Sequence, residues 1–242
     1  MRRYHSGYLA ATRHPWACLL FLLPLLLAYE AGILWLGGAQ PDALRNGADT
    51  WLRWGLEAFG FRQLYAAPVL IVAVFLGWSW LRFWDRPEGM LGIGVGMALE
   101  SLLLAIGLWA LSRGLGPLFE NAGMRLSVGP SGQSLAQVVT FVGAGIYEEV
   151  LFRLILFFVL GLLLRQLAAP RLVAALLITV TSALIFAGAH HMGPYGEAFD
   201  GRLFFFRILA GCYFALVYQL RGFGVAVGSH ACYDVLVGVL LA

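Results

Sequence analysis

Lysine is missing altogether from this 242-residue sequence, so all 16 basic side chains are arginine. The commonest acylatable and Schiff-base nucleophile is thereby absent, and no lysine mechanism is available. Charge of either sign is scarce: 12% of residues are charged against 61% hydrophobic, and the mean hydropathy is +0.82. Those values exclude an ordinary soluble domain. The net charge of +3 comes from arginines spread over the chain ends and short loops, without the basic run that would track a phosphate backbone. Nucleic acid is therefore not an expected partner. Cysteine is limited to Cys18, Cys212 and Cys232, odd in number and without Cys-x-x-Cys spacing. They read as buried small hydrophobes, not as a redox or disulfide framework. No His-Glu-x-x-His motif occurs.

What is present is a series of long apolar runs, which makes the chain an expected all-α, polytopic membrane protein. Candidate spans are Trp16 to Gly37, Gln63 to Leu81, Met90 to Leu111, Leu135 to Leu164, Leu172 to Met192, Leu203 to Leu220 and Gly224 to Leu241. The count is about seven, with a range of six to eight, because the last two approach the minimum of about 17 residues for a spanning helix. The first run has a charged N-terminal flank but continues past Glu30 without a small-x-small cleavage site, so a retained first span is expected. Asp42 to Phe59 places Leu44, Ala48, Trp51, Leu52 and Phe59 on one helical face, opposite Asp49, Arg53 and Glu57, as in a helix lying at the interface. Gly, Pro and Ser between Gly114 and Gly132 mark a boundary between residues 1–133 and residues 134–242.

Arginines at 2, 3, 13, 82, 86, 165, 171 and 221 fall on the N-terminal side. Those at 45, 53, 62, 113, 125 and 202 fall opposite, a small excess in favour of a cytoplasmic N-terminus. The compact chain and short N-terminal segment suggest a multi-pass protein of a bacterial cytoplasmic membrane. Oligomeric state is not legible.

Within this apolar background three polar clusters stand out. Glu148, Glu149 and Arg153 lie within six residues of one apolar segment. Ionisable side chains inside a bilayer cost roughly 2.5 to 3.5 kcal/mol each on insertion scales and face a protein interior or a water pocket. On a helix Glu149 and Arg153 are i and i+4, about 40° apart, and can pair; Glu148 projects about 100° from Glu149. A plain buried ion pair with a protonated neighbour satisfies the same pattern. Phe186 and His190 repeat the i, i+4 spacing, with small residues between them that let another helix approach; a simple interhelical hydrogen-bonding histidine is the alternative. His191 points away. His230 and Asp234 are again i and i+4, so Asp234 can accept from the imidazole and fix its tautomer, whether in a catalytic site or in a structural polar staple.

Measured from the turn near Ala168, Ala169 and Pro170, Glu148 and His190 are each about 20 residues away along antiparallel helices, roughly 30 Å at 1.5 Å per residue. They are expected at one level. His230 lies only about eight residues, roughly 12 Å, beyond the turn at Arg221. For all three to meet, that turn must lie deep in the protein or the helices must tilt strongly.

The ordered set Glu-Glu-x-x-x-Arg, Phe-x-x-x-His and His-x-x-x-Asn/Asp, each on its own hydrophobic segment, resembles the CPBP family of CAAX prenyl endopeptidases and bacteriocin-processing or immunity proteins, also called the ABI family. The resemblance covers roughly Ser134 to Ala242. It implies an all-helical, metal-independent glutamate intramembrane endopeptidase without a cofactor. By the same resemblance Glu148 is the general base that activates water, and His190 helps to hold that water. His230 stabilises the oxyanion, with Glu149, Arg153 and Phe186 in support. Asp234 stands where the prenyl-protease branch has Asn; an ionised carboxylate would repel an oxyanion, so Asp234 is expected to be protonated or to act by orienting His230. The expected substrate is a peptide or a membrane-protein segment in the lipid bilayer. Three other readings stand beside it: a non-catalytic immunity or interaction factor on the same scaffold, a proton-coupled transporter that uses Glu30 and Glu100, and a zinc protease with Glu148, His190 and His230 as ligands.

Overall fold

The computed structural model describes residues 7–121, 135–193 and 196–241, and among them no strand occurs. The boundary expected between Gly114 and Gly132 falls largely outside the described residues, as do Arg2, Arg3 and Arg125. A short α1 (Tyr8–Ala11) precedes α2 (Pro15–Gly37), whose start is fixed by Pro15 in the first turn and by His14, which accepts from the Trp16 amide. Then come α3 (Gly47–Ala58), α4 (Ala66–Leu81) and α5 (Met90–Asn121). The back half contains α6 (Leu135–Glu149), α7 (Leu156–Gln166), α8 (Arg171–Ala189), α9 (Gly201–Arg221) and α10 (Phe223–Val235).

Each expected span coincides with a helical run, so the all-α polytopic reading is borne out. Five helices are long and apolar enough to cross a bilayer, and α4 is a shorter apolar helix of 16 residues. The run from Leu135 to Gln166 is one rod interrupted by a π-helical turn over Val150–Ile155, and a second such turn over Leu236–Leu240 follows α10. Large apolar side chains cover the outside, among them Trp80, Leu91, Leu103 and Leu172, as a lipid-facing surface requires.

The first spanning helix is central. Leu22, Tyr29 and Ile33 of α2 pack with Ile71 and Phe75 of α4, Ile146 and Tyr147 of α6, and Phe223 and Val227 of α10. Small residues bring backbones together where the site is built. A Cβ on Gly145 of α6 would lie 2.7 Å from the Ala231 amide nitrogen of α10, and one on Gly211 of α9 would lie 3.0 Å from Ala183 of α8.

The interfacial reading of α3 needs one correction. Ala48 and Leu52 of the apolar face are buried and Glu57 of the charged face is exposed, as expected, but Asp49 is also fully buried and Phe59 is 83% exposed. The reason is pairing. Asp49 accepts from Tyr29 and Arg45 and forms an ion pair with Arg53, while Glu30 pairs with both arginines. Burial works against the Arg45 charge, but Asp49 and Glu30 hold its pKa above the ordinary value.

Candidate active site

Glu148 and Glu149 occupy the last turn of α6, immediately before the π-helical turn. A π-turn widens the helix locally and is common at functional positions. Here Glu149 is wholly buried, and its Oε2 lies 3.3 Å from Nε of the equally buried Arg153. The arginine also donates to the Gly211 carbonyl over 3.0 Å and sits 4.9 Å above the Phe186 ring. The other oxygen of Glu149 accepts from His230 Nδ1 over 2.8 Å. Glu149 is thus the hinge between a guanidinium and an imidazole, and it presents no oxygen to the cavity.

Glu148 has the opposite character. Its Oε2, like that of Glu149, is buried without a hydrogen-bond partner, but no guanidinium among the described residues pairs with it, and it lies 3.9 Å from His190 Nε2 and 3.7 Å from His230 Nε2. An unsatisfied buried carboxylate oxygen is rare enough to require a reason. Glu148 itself lines a cavity of about 90 Å³, with Phe152 and His190, Glu197 beyond α8, and Gly47 and Trp51 of α3. That volume holds a few waters at about 30 Å³ each. The arrangement is a carboxylate flanked by two imidazoles, roofed by the helix from the front half.

Both rings have their second nitrogen engaged. His190 Nδ1 donates to the Phe186 carbonyl over 2.8 Å, which leaves Nε2 of the neutral ring as an acceptor facing Glu148. Phe186 also meets the His190 ring edge-on at 4.9 Å. His230 is stacked on Phe214 at 4.4 Å with planes 11° apart. Its Nε2 points at the carboxylates, 3.5 Å from Asp234 Oδ2 and 3.7 Å from Glu148 Oε2. The carboxylate hydrogen-bonded to His230 is therefore Glu149, and Asp234 faces the other nitrogen.

All seven singled-out residues come together, including His230, whose depth was in question. The turn at Arg221–Phe223 lies inside the protein: Gly222 adopts φ +93°, and Thr12 donates to the Arg221 carbonyl over 2.9 Å. The N-terminal segment covers this turn, and residues 222–231 are buried without interruption. The turn is deep, so eight residues suffice. Sequence reasoning missed Phe214, the Gly211 carbonyl, Trp51 and the Tyr147–Glu30 contact. Only Glu30 carried a local signal, as an ionisable residue in a spanning run.

Residues 130–236 match the family model described as Type II CAAX prenyl endopeptidase Rce1-like. That span includes Glu148, Glu149, Arg153, Phe186, His190, His230 and Asp234. The resemblance read from the three motifs is thereby borne out. No curated protein and no solved structure matches the chain.

Proposed function

We propose that the protein is an intramembrane endopeptidase in which Glu148 activates water for attack on a peptide bond, with a membrane-embedded peptide segment as substrate. The observation that carries this reading is the unpartnered Glu148 Oε2 set between the Nε2 atoms of His190 and His230. A water bonded to the Glu148 carboxylate and His190 Nε2 offers one O–H to each. Glu148 takes one proton as the oxygen attacks the carbonyl carbon, and His230 Nε2–H donates to the resulting oxyanion. Collapse breaks the C–N bond, and the proton on Glu148 passes to the leaving nitrogen. In this scheme His230 carries both ring protons, with Nδ1–H held by Glu149. Arg153 holds Glu149 in place. Asp234 acts through His230, consistent with the 3.5 Å separation from its Nε2. General base catalysis of this kind contributes about 10²- to 10⁴-fold, and a preorganised oxyanion donor roughly 3 to 4 kcal/mol.

The test compares peptide termini in cells that carry the wild-type protein and cells that carry Glu148→Ala. New termini are expected only with the wild type, and the same purified protein should cleave an identified segment in the presence of a chelator. Identical termini in both cell types overturn the enzyme in favour of a binding factor. Cleavage abolished by chelation and restored by zinc overturns the metal-independent mechanism.

A further inference from the structure

Away from the candidate active site, two depressions meet on the outer side of α2 and α5. The larger, about 750 Å³, is a groove between α2, α5 and the back of α10, with Phe21, Pro24, Val95, Leu102 and Val235 among its walls. Ser101 is its main polar contribution. The smaller, about 410 Å³, is a polar cleft lined by Trp16, Arg86, Glu88 and Gly89. Leu20 and Met90 line both, so the two adjoin.

The shape has a direction. The cleft opens at the first turn of α5, and the groove follows α5 from Met90 to Leu102. Twelve residues at 1.5 Å each make about 18 Å, close to half of a hydrocarbon core about 30 Å thick. The groove is thus one leaflet deep, with its polar end at the membrane surface. A segment of protein crossing the bilayer would need about 30 Å.

The cleft has complementary chemistry. Trp16 Nε1 is buried without a hydrogen-bond partner. Arg86 and Glu88 are exposed, and neither forms an ion pair among the described residues, although Arg86 lies over the Phe83 ring. Amides in the first turn of α5 have no intrahelical acceptor and favour a negative group. A phosphate here would accept from the guanidinium and these amides, and an ammonium group would meet Glu88.

We propose that the cleft and groove together bind one zwitterionic glycerophospholipid, its phosphate at Arg86 and the first turn of α5, its ammonium at Glu88 and one acyl chain along α5 behind the helix that carries His230. The site is separate from the Glu148 cavity, so its occupation does not depend on the protease reading. A bound chain supports Ala231 and Val235 from behind, on the helix that presents His230 and Asp234.

Native mass spectrometry of the full chain tests this, with dioleoyl phosphatidylethanolamine and dioleoyl phosphatidylglycerol as probes. The wild type is expected to retain one phosphatidylethanolamine per chain and to prefer it over phosphatidylglycerol. Arg86→Gln should lower retention of both at least tenfold, and Glu88→Gln should abolish the preference. Gly94→Phe should exclude both lipids; a Cβ at Gly94 meets no atom within 4 Å, so the variant fills the groove without disturbing the helix. Equal retention of the two lipids by the wild type overturns the zwitterionic assignment. Retention unaffected by both Arg86→Gln and Gly94→Phe overturns the site. A dimer that Gly94→Phe dissociates makes the groove a subunit interface and overturns the lipid.

Discussion

The Tyr147 hydroxyl donates to Glu30 Oε1 across 2.8 Å, which ties the residue before Glu148 to a carboxylate on the first spanning helix. Glu30 also pairs with Arg45 and Arg53, the arginines that hold α3 over the cavity. The front half, which carries no recognised motif, thus aligns and roofs the candidate site. The contact also accounts for Glu30 without transport. Glu100 is likewise bound to Arg221 and accepts from Tyr8 over 2.8 Å, so both carboxylates named for a proton relay are held in fixed pairs.

Tyr147→Phe should therefore lower kcat with little change in KM. Misplacement of a catalytic group by about 1 Å can cost 10²-fold in rate, and the expected loss lies within that range. Loss of one neutral-to-charged hydrogen bond should cost about 1.5 to 3 kcal/mol of stability. Turnover of a cleaved segment and thermal unfolding in detergent measure the two effects. Unchanged kcat would remove Tyr147 as a positioning residue.

The adjacent glutamates should separate under isosteric substitution. Glu149→Gln leaves Arg153 as a buried charge without its carboxylate, a change that typically costs about 3 to 5 kcal/mol. Glu148→Gln disturbs no ion pair with an arginine and should leave the unfolding midpoint close to wild type while abolishing cleavage. The reverse assignment, with Glu148→Gln unstable and Glu149→Gln stable, would show that the roles are exchanged.

Gly145 tests whether helix proximity assembles the site. A methyl group there would lie 2.7 Å from the Ala231 nitrogen, next to His230. Gly145→Ala should force α6 and α10 apart at an overpacking cost of about 1 to 3 kcal/mol, with activity falling more than stability. Residual activity equal to wild type would mean that the helices accommodate the methyl without moving Glu148 from His230.

The contrast between these residues explains what the sequence made legible. Helix spacing alone pairs Glu149 with Arg153, because i, i+4 neighbours share a face, and antiparallel arithmetic brings Glu148 level with His190. Neither rule reaches across helices whose relative rotation is undetermined. The Glu149–His230 bond spans 81 residues, and the Phe214 stack joins α9 to α10. The depth of the Gly222 turn depended on cover from Thr12 and Arg13 at the other end of the chain. For α3, amphipathic patterning assigned the charged side to water. Glu57 follows it, but Asp49 is drawn inside by the Tyr29 hydroxyl of α2 and by Arg45, since a charged residue's environment is set by what it pairs with.

Asp234 and His230 allow the sharpest test of the proposed chemistry. If His230 donates to the oxyanion, His230→Ala should lower kcat by about 10²- to 10³-fold, as loss of one such donor does, with KM nearly constant. Asp234 lies 3.5 Å from the same Nε2 but presents only acceptors when ionised. Its negative charge would oppose an oxyanion, so its contribution must come through the imidazole. Asp234→Asn keeps the shape, removes the charge and supplies an amide donor. It should therefore retain activity within about tenfold of wild type, well above His230→Ala. A loss as deep as that of His230→Ala would mean that Asp234 handles a proton in the reaction, and the assignment of oxyanion donor to His230 alone would fail.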